Sequence, residues 1–288
     1  MKKIAVINDL SGLGKCSLTA AIPVISAMGV QACPFPTAVL SNQTGYETYF
    51  CDDFTEHMDP YMEQWKKRGF SPDGIYTGFL SDEKQADEIL KFMDMFSGKD
   101  TLILTDTVMG DDGAVYPIYT EGLRARFCEL ARRSYVITPN LTEALLLLYG
   151  KEKMEEIWKS FGALSEEERL EQIRETGYKL AQKFALSAVV ITGVDHQEKG
   201  QPLKMGNLVL EKGKSSWIFA QKAGGSYSGT GDLFASVLSA GLVKGYSMEE
   251  CANMAVEFIS ASIRDAVEEG TDRNDGVCFE QHLGRLIR

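Results

Sequence analysis

The sequence predicts an α/β fold: a mostly parallel sheet with helices on both faces. Three observations predict it. Short apolar, β-branched runs alternate with amphipathic stretches along the whole chain. No linker, repeat or low-complexity run interrupts the alternation, so residues 1–288 read as one domain. Polar, glycine-containing segments directly follow several apolar runs, at the carboxyl ends of strands, where open sheets of this class place ligands.

Taken in order, residues 4–7 are a buried strand and residues 18–28 a helix stopped by Gly29. A second strand lies near residues 30–33. Residues 56–67 form a polar helix and Gly74–Thr77 a short strand. Asp82 and Gln85 make a capping-box pattern for a helix to about Phe96. Residues 101–105 are a strand, 121–131 a helix, 135–138 a strand halted by Pro139, and 142–148 helical. Ser165 caps a long helix to about Phe184, and residues 188–192 are a strand. Residues 208–211 and 216–220 flank Lys212-Gly213-Lys214, the pattern of a small hairpin excursion near 206–220. Residues 232–244 form an apolar helix, Ser247 caps another to about Ala266, and a last helix lies near residues 279–286.

Composition excludes several functions. The net charge is −11, with lysines and arginines scattered among more numerous acids, so no basic stripe marks a nucleic-acid binder. The six cysteines include no CxxC pair and read as reduced thiols. The three histidines are not at ligand spacing, which argues against zinc and against a Ser-His-Asp triad. The apolar run at the start is too short for a signal peptide, and none approaches a membrane span. The expected setting is cytoplasmic, with no membrane partner.

The segment Asn8 to Lys15 tempts two motif readings and fails both. A P-loop needs glycine where Asp9 stands and Ser or Thr at Cys16; a dinucleotide fingerprint needs Gly or Ala at Ser17. The strongest signal is Gly224 to Asp232, a glycine-rich loop running into an apolar helix. Its amides and the helix dipole make an anion hole, and Asp232 beside it suits a base taking a proton from an attacking hydroxyl. A plain N-cap is the bland alternative for Asp232. Asn140 and Glu143 share the first turn of a helix, where they can orient magnesium-bound water; a simple helix start explains them as well. Residues 105–113 carry Asp106, Asp111 and Asp112, either an acidic turn or oxygen ligands for a magnesium-nucleotide. The loops 41–46 and 192–193 are small and polar.

Together these segments resemble the ribokinase-like superfamily and, within it, the pyridoxal kinases. Gly229-Thr230-Gly231-Asp232 looks like the superfamily's GTGD box, and Asn140 to Glu143 its NxxE motif. Ser41-Asn42-Gln43-Thr44-Gly45-Tyr46 is similar to the SNxTxY stretch of pyridoxal kinases. Asp106 to Asp111 resembles their DPVxGD stretch, with Thr107 in place of the proline. Order and spacing fit over nearly the whole chain.

The resemblance implies ATP-dependent phosphorylation of the 5′-hydroxymethyl group of pyridoxal, pyridoxine or pyridoxamine by a homodimer. Asp232 is then the base, and the Gly229, Thr230 and Gly231 amides are the anion hole. Asp106, Asp111, Asn140 and Glu143 arrange the magnesium-nucleotide, with Asp111 and Glu143 toward the metal. Thr138 and Thr192 line the nucleotide side, and residues 112–122 are a flap over ATP. Thr44 and Asp9 face the pyridine ring, and Gln43 and Phe79 belong to the same substrate side. The implied cofactors are ATP and Mg2+, with room for a monovalent cation. Asp9 stands where Ser is usual and Phe79 where Tyr is common, which bears on the choice of vitamer. The Asp9-Leu10-Ser11-Gly12 turn is similar to that of hydroxymethylpyrimidine kinases, the alternative within the superfamily. A noncatalytic nucleotide sensor on the same fold is the alternative outside catalysis.

Overall fold

A computed structural model describes residues 1–287. They form two compact units, residues 1–106 with the stretch from Ala223 onward, and residues 107–222. The class is the expected one: a mostly parallel sheet flanked by helices.

The first unit opens with β1 (Lys3–Ser11), α1 (Ser17–Ala27), β2 (Gln31–Leu40), β3 (Cys51–Asp53), α2 (Thr55–Lys67), β4 (Gly74–Thr77), α3 (Glu83–Phe96) and β5 (Leu102–Thr105). Its strands lie in the order β5-β4-β1-β2-β3, parallel except for β3 at the edge. Residues 4–7 are fully buried on both faces, as a central parallel strand must be. On one flank Phe35 of β2 meets Tyr61 of α2 and Phe92 of α3, at centroid separations of 5.0 and 5.1 Å.

Two strands outrun their sequence boundaries. Read from the sequence, β1 stops at residue 7; in the structure it continues to Ser11, with a register shift between Asn8 and Leu10. The bulge keeps the polar tip paired and re-aims its side chains. The second strand passes through Pro34 and Pro36 to Leu40. Those prolines are tolerated because β3 pairs only with residues 38–40, so β2 is an edge where they sit. The exposed three-residue β3 left no periodic signal.

The second unit holds β6 (Gly110–Asp111), β7 (Ala114–Val115), α4 (Glu121–Arg133), β8 (Val136–Ile137), α5 (Leu141–Tyr149), α6 (Lys151–Phe161), α7 (Glu166–Phe184), β9 (Ala188–His196), β10 (Lys204–Glu211) and β11 (Lys214–Gln221). β8 and β9 are parallel, while β10 and β11 continue the sheet antiparallel, so the expected hairpin is joined to β9 rather than standing off it. Lys212 and Gly213 both have positive φ, 49° and 78°, the backbone of a tight two-residue turn. Asp112 and Gly113 (48° and 75°) do the same between β6 and β7, where the sequence shows only an acidic turn. The sequence reading also has no helix at α6; Gly150, at φ 78°, breaks one helical run into α5 and α6.

The chain returns to the first unit with α8 (Thr230–Lys244), α9 (Met248–Glu269) and a 3-10 helix, Glu280–Leu286. α8 packs on α1, α9, β4 and β5. Among the described residues no helix is long and apolar enough to cross a membrane.

Candidate active site

Asp232 stands in the first turn of α8 but is not its cap. Gly229 takes the N-cap position in the left-handed region, φ 81°. A Cβ there would lie 1.9 Å from the Lys15 carbonyl oxygen, so the turn requires glycine. Leu233 N–H is the first to bond back, to Gly229 O at 2.9 Å. The N–H groups of Thr230, Gly231 and Asp232 precede it and have no acceptor within the helix. With the helix dipole behind them, such N–H groups are of the kind that can take an anion.

The Asp232 carboxylate is held on one side. Its Oδ1 accepts from Asn8 Nδ2 at 3.1 Å and from the Tyr76 hydroxyl at 3.2 Å. Asn8 and Tyr76 are wholly buried. Asn8 is locked in turn, because its Oδ1 accepts the N–H groups of Asp9 at 3.1 Å and Phe79 at 2.9 Å. Burial pushes the Asp232 carboxyl up to about 6, against the Ser17 N–H that favours the charged form. The charge of Asp9 adds to the rise, while Asn8 and Tyr76 oppose it. Such a carboxylate is ionised at neutral pH yet more basic than an ordinary aspartate. The Tyr76 phenol is driven far up by burial and by the same negative charge, so it stays a donor.

Asp9 is buried, 5% exposed, and both its oxygens are occupied: Oδ1 by the Ser17 hydroxyl at 2.5 Å and Oδ2 by the Ser11 hydroxyl at 2.9 Å. Burial raises its pKa, and the two hydroxyls oppose the rise. The neighbouring Cys16 thiol is pushed up by burial and by the charges of Asp232 and Asp9, which keeps it protonated.

Gln43 is also committed to protein groups. Its Nε2 donates toward Ser228 Oγ at 3.3 Å and Asn274 Oδ1 at 3.2 Å, while its Oε1 accepts the Gly45 N–H at 2.7 Å. It ties the 43–46 loop to the residue preceding Gly229 and to the turn after α9. Thr44 is exposed beside it, and Phe79 is half-buried after β4. Asp106 closes this unit's group: it is buried, and a Cβ on Gly231 would lie 3.8 Å from its Oδ2.

The second unit gathers the remaining candidates. Asn140 and Glu143 form a complete capping box at the start of α5. Glu143 Oε2 accepts the Asn140 N–H at 3.0 Å, and its Oε1 accepts the Met109 N–H at 3.1 Å. Asn140 Nδ2 donates to Gly110 O at 2.7 Å. These bonds pin the strand carrying Asp111 against the helix start. Asn140 and Thr192 are paired across a parallel bridge, and Thr138, 4% exposed, lies just before them. In the stretch 112–122, expected to be a flap, the Gly113 N–H donates to Thr142 Oγ1 at 2.8 Å. A Cβ on Gly113 would lie 2.4 Å from Trp158 Nε1, so α6 roofs that turn.

Asp111 and Glu143 present hard carboxylate oxygens, the donor type magnesium takes, usually completed by water and phosphate. Among the described residues no group of three or more His, Cys, Asp or Glu forms a closed metal cage. The two cations nearest these loops in sequence are engaged elsewhere: Lys15 with Glu280 at 3.0 Å and Lys222 with Asp195 at 2.8 Å. Asn8, Tyr76 and Ser17 are not singled out by the sequence. The signal for Asn8 is an amide directly after a fully apolar strand; Tyr76 and Ser17 carry none.

The sequence profile described as Phosphomethylpyrimidine kinase matches residues 14–276. A pyridoxine/pyridoxal/pyridoxamine kinase of Bordetella avium is 28% identical over 247 residues, covering 83% of this chain and 77% of that protein. A Bacteroides thetaiotaomicron protein, provisionally described as a phosphomethylpyrimidine kinase, is 34% identical with a TM-score of 0.89, over 100% of this chain and 94% of that one. An orthorhombic crystal form of it was solved with pyridoxal. Pyridoxal kinase from Lactobacillus plantarum, at 24% identity and TM-score 0.83 over 100% of this chain and 97% of its own, is alike in fold.

Proposed function

The chain belongs to the phosphomethylpyrimidine kinase family, a kinase acting on an alcohol group, and from that premise we propose that it phosphorylates a B6 vitamer with ATP. The acceptor is the 5′-hydroxymethyl group of pyridoxal, pyridoxine or pyridoxamine. The observation that carries this reading is Asp232: a carboxylate pushed up to about 6, at the anion-binding start of α8. The Bacteroides protein's pyridoxal and the Bordetella relative's name support the choice of acceptor.

In the proposed step Asp232 takes the proton of the acceptor hydroxyl. The freed oxygen lone pair forms the new O–P bond, and the old bond to the β-phosphate oxygen breaks with its electrons staying on ADP. The α8 amides hold the phosphoryl oxygens as charge shifts. Asp106, Asn140, Thr138 and Thr192 position the nucleotide. Asp111 and Glu143 would hold magnesium, which when bound neutralises charge on the phosphates. Thr44 and Phe79 face the ring, and Asp9 and Gln43 shape that side from behind. The family match runs through both compact units, which supports treating the chain as one kinase domain.

A homodimer belongs to the same reading. Leu13 and Phe50, 66% and 70% exposed, both border Ser41 and supply apolar surface for it. Six cysteines with no disulfide between them agree with a cytoplasmic setting. The family description itself favours hydroxymethylpyrimidine as a second acceptor. A coupled ADP-release assay with pyridoxal, pyridoxine, pyridoxamine and hydroxymethylpyrimidine side by side tests the assignment. Release driven by a B6 vitamer is expected; release driven by hydroxymethylpyrimidine alone overturns it.

A further inference from the structure

Asn8 touches Asp232 on one side and the backbone on the other, and we infer that it is a positioning residue for phosphoryl transfer. It holds Asp232 through Oδ1, fixing the orientation in which the carboxylate, which also accepts the Ser17 N–H, meets the acceptor hydroxyl. This inference rests on Asp232 being the base.

The geometry leaves Asn8 one orientation. Its carbonyl oxygen accepts two backbone N–H groups, at 3.1 and 2.9 Å, so the amide cannot flip without orphaning both. Its Nδ2 therefore faces Asp232, at 3.1 Å. Gly78 makes the fit tight: a Cβ there would lie 2.6 Å from that nitrogen. Tyr76 donates to the same Oδ1, so two buried donors converge on one oxygen. A carboxylate gripped at one oxygen cannot rotate freely, and transfer chemistry is sensitive to such alignment. The Phe79 N–H that locks Asn8 belongs to the loop carrying a substrate-side residue. One amide thus joins the base to the loop beside the acceptor.

The ionisable groups that act on Asp232 are Asp9 from β1, Cys16 just before α1 and Tyr76 from β4, while Asp106 lies by the neighbouring Gly231. None of these donates to Oδ1 except Tyr76. Loss of the Asn8 donor therefore removes stabilisation of the charged form and moves the base toward higher pKa.

Asn8→Asp separates positioning from mere support. The carboxylate keeps an oxygen for the Asp9 and Phe79 N–H groups but cannot donate to Asp232 when ionised. The expected result is a kcat about tenfold or more below wild type with KM for pyridoxal and ATP within about threefold. The acid limb of the kcat/KM profile should move to higher pH. Tyr76→Phe, which keeps the ring, should move the limb the same way with a smaller loss, and decides the matter if Asn8→Asp does not fold. Wild-type kcat and an unmoved limb in the folded variants overturn the inference. Asp232→Asn run alongside keeps the two readings apart: if it alone is inactive, only the positioning role fails, whereas near wild-type turnover in it removes the base.

Discussion

Ser17 donates its hydroxyl to Asp9 while its own N–H serves the Asp232 carboxylate, so one residue links two acids through opposite ends. Ser17 does this at φ 49°, in the left-handed region that non-glycine residues seldom occupy. With Ser11 on its other oxygen and 5% exposure, Asp9 offers little of its carboxylate to a ligand amine. Its charge is felt at Asp232 instead. Asp9→Asn should therefore shift the acid limb of kcat/KM to lower pH and leave the ratio of kcat/KM for pyridoxamine and pyridoxal unchanged. A changed ratio with an unmoved limb would show that Asp9 meets the substrate directly.

Asp232 also sets a pH dependence of stability. Its pKa rises from 3.8 unfolded to about 6 folded, so the folded chain holds the proton longer. Stability from this group is full below pH 3.8 and falls as pH rises through about 6. Asp232→Asn should then stabilise the protein at pH 8 by about 1–2 kcal/mol, and by less at pH 4.5. Thermal unfolding of both proteins at the two pH values checks this; a variant less stable than wild type at pH 8 contradicts it.

Glu143 carries two loads, a capping box and the expected hold on magnesium. Gln in its place can accept one of the two backbone N–H groups but must turn its own NH2 toward the other. Glu143→Gln should cost about 1 kcal/mol of stability and raise the magnesium concentration for half-maximal rate several-fold. Lost stability with an unchanged magnesium titration would mean that Glu143 only secures the helix start and the Met109 loop.

Gly229 and Gly225 lie four residues apart in one loop yet should differ sharply. A Cβ at Gly229 meets the Lys15 carbonyl at 1.9 Å with φ at 81°, while nothing lies within 4 Å of one at Gly225. Gly229→Ala should lower stability by more than about 2 kcal/mol and collapse turnover; Gly225→Ala should leave both near wild type. Equal effects would show that the close approach to Lys15 does not govern the loop.

The parts legible in the sequence are those with local signatures. The Gly229 to Asp232 run announces a turn that only glycine can make, followed by a helix start. Ser165 and Ser247 announce capping boxes, and both form. At Asp82 only half forms, because the Gln85 side chain goes to the Ser81 N–H and the Thr37 carbonyl instead, whereas Asn140, read only as a helix start, closes a full box. The continuation of β1 past residue 7 was not legible, because a bulged polar tip looks like a loop until its partner strand is known. Asn8 and Tyr76 were hidden for a related reason. Their importance comes from meeting a residue 224 and 156 positions away, and nothing in their own neighbourhoods encodes that. Gln43 and Asp9 stand out in the sequence as substrate-side candidates, but nothing local shows that their polar atoms are engaged by protein partners.

The most direct test of the account is turnover by Asp232→Asn with pyridoxal and ATP, with ADP binding measured in parallel. The amide preserves shape and the bonds from Asn8 and Tyr76 at Oδ1, while it removes the charge and the proton acceptor and weakens the hold of the Ser17 N–H. A fall in kcat of about a hundredfold or more with ADP affinity intact is the expected result. Near wild-type kcat in that variant would contradict the assignment of Asp232 as the base.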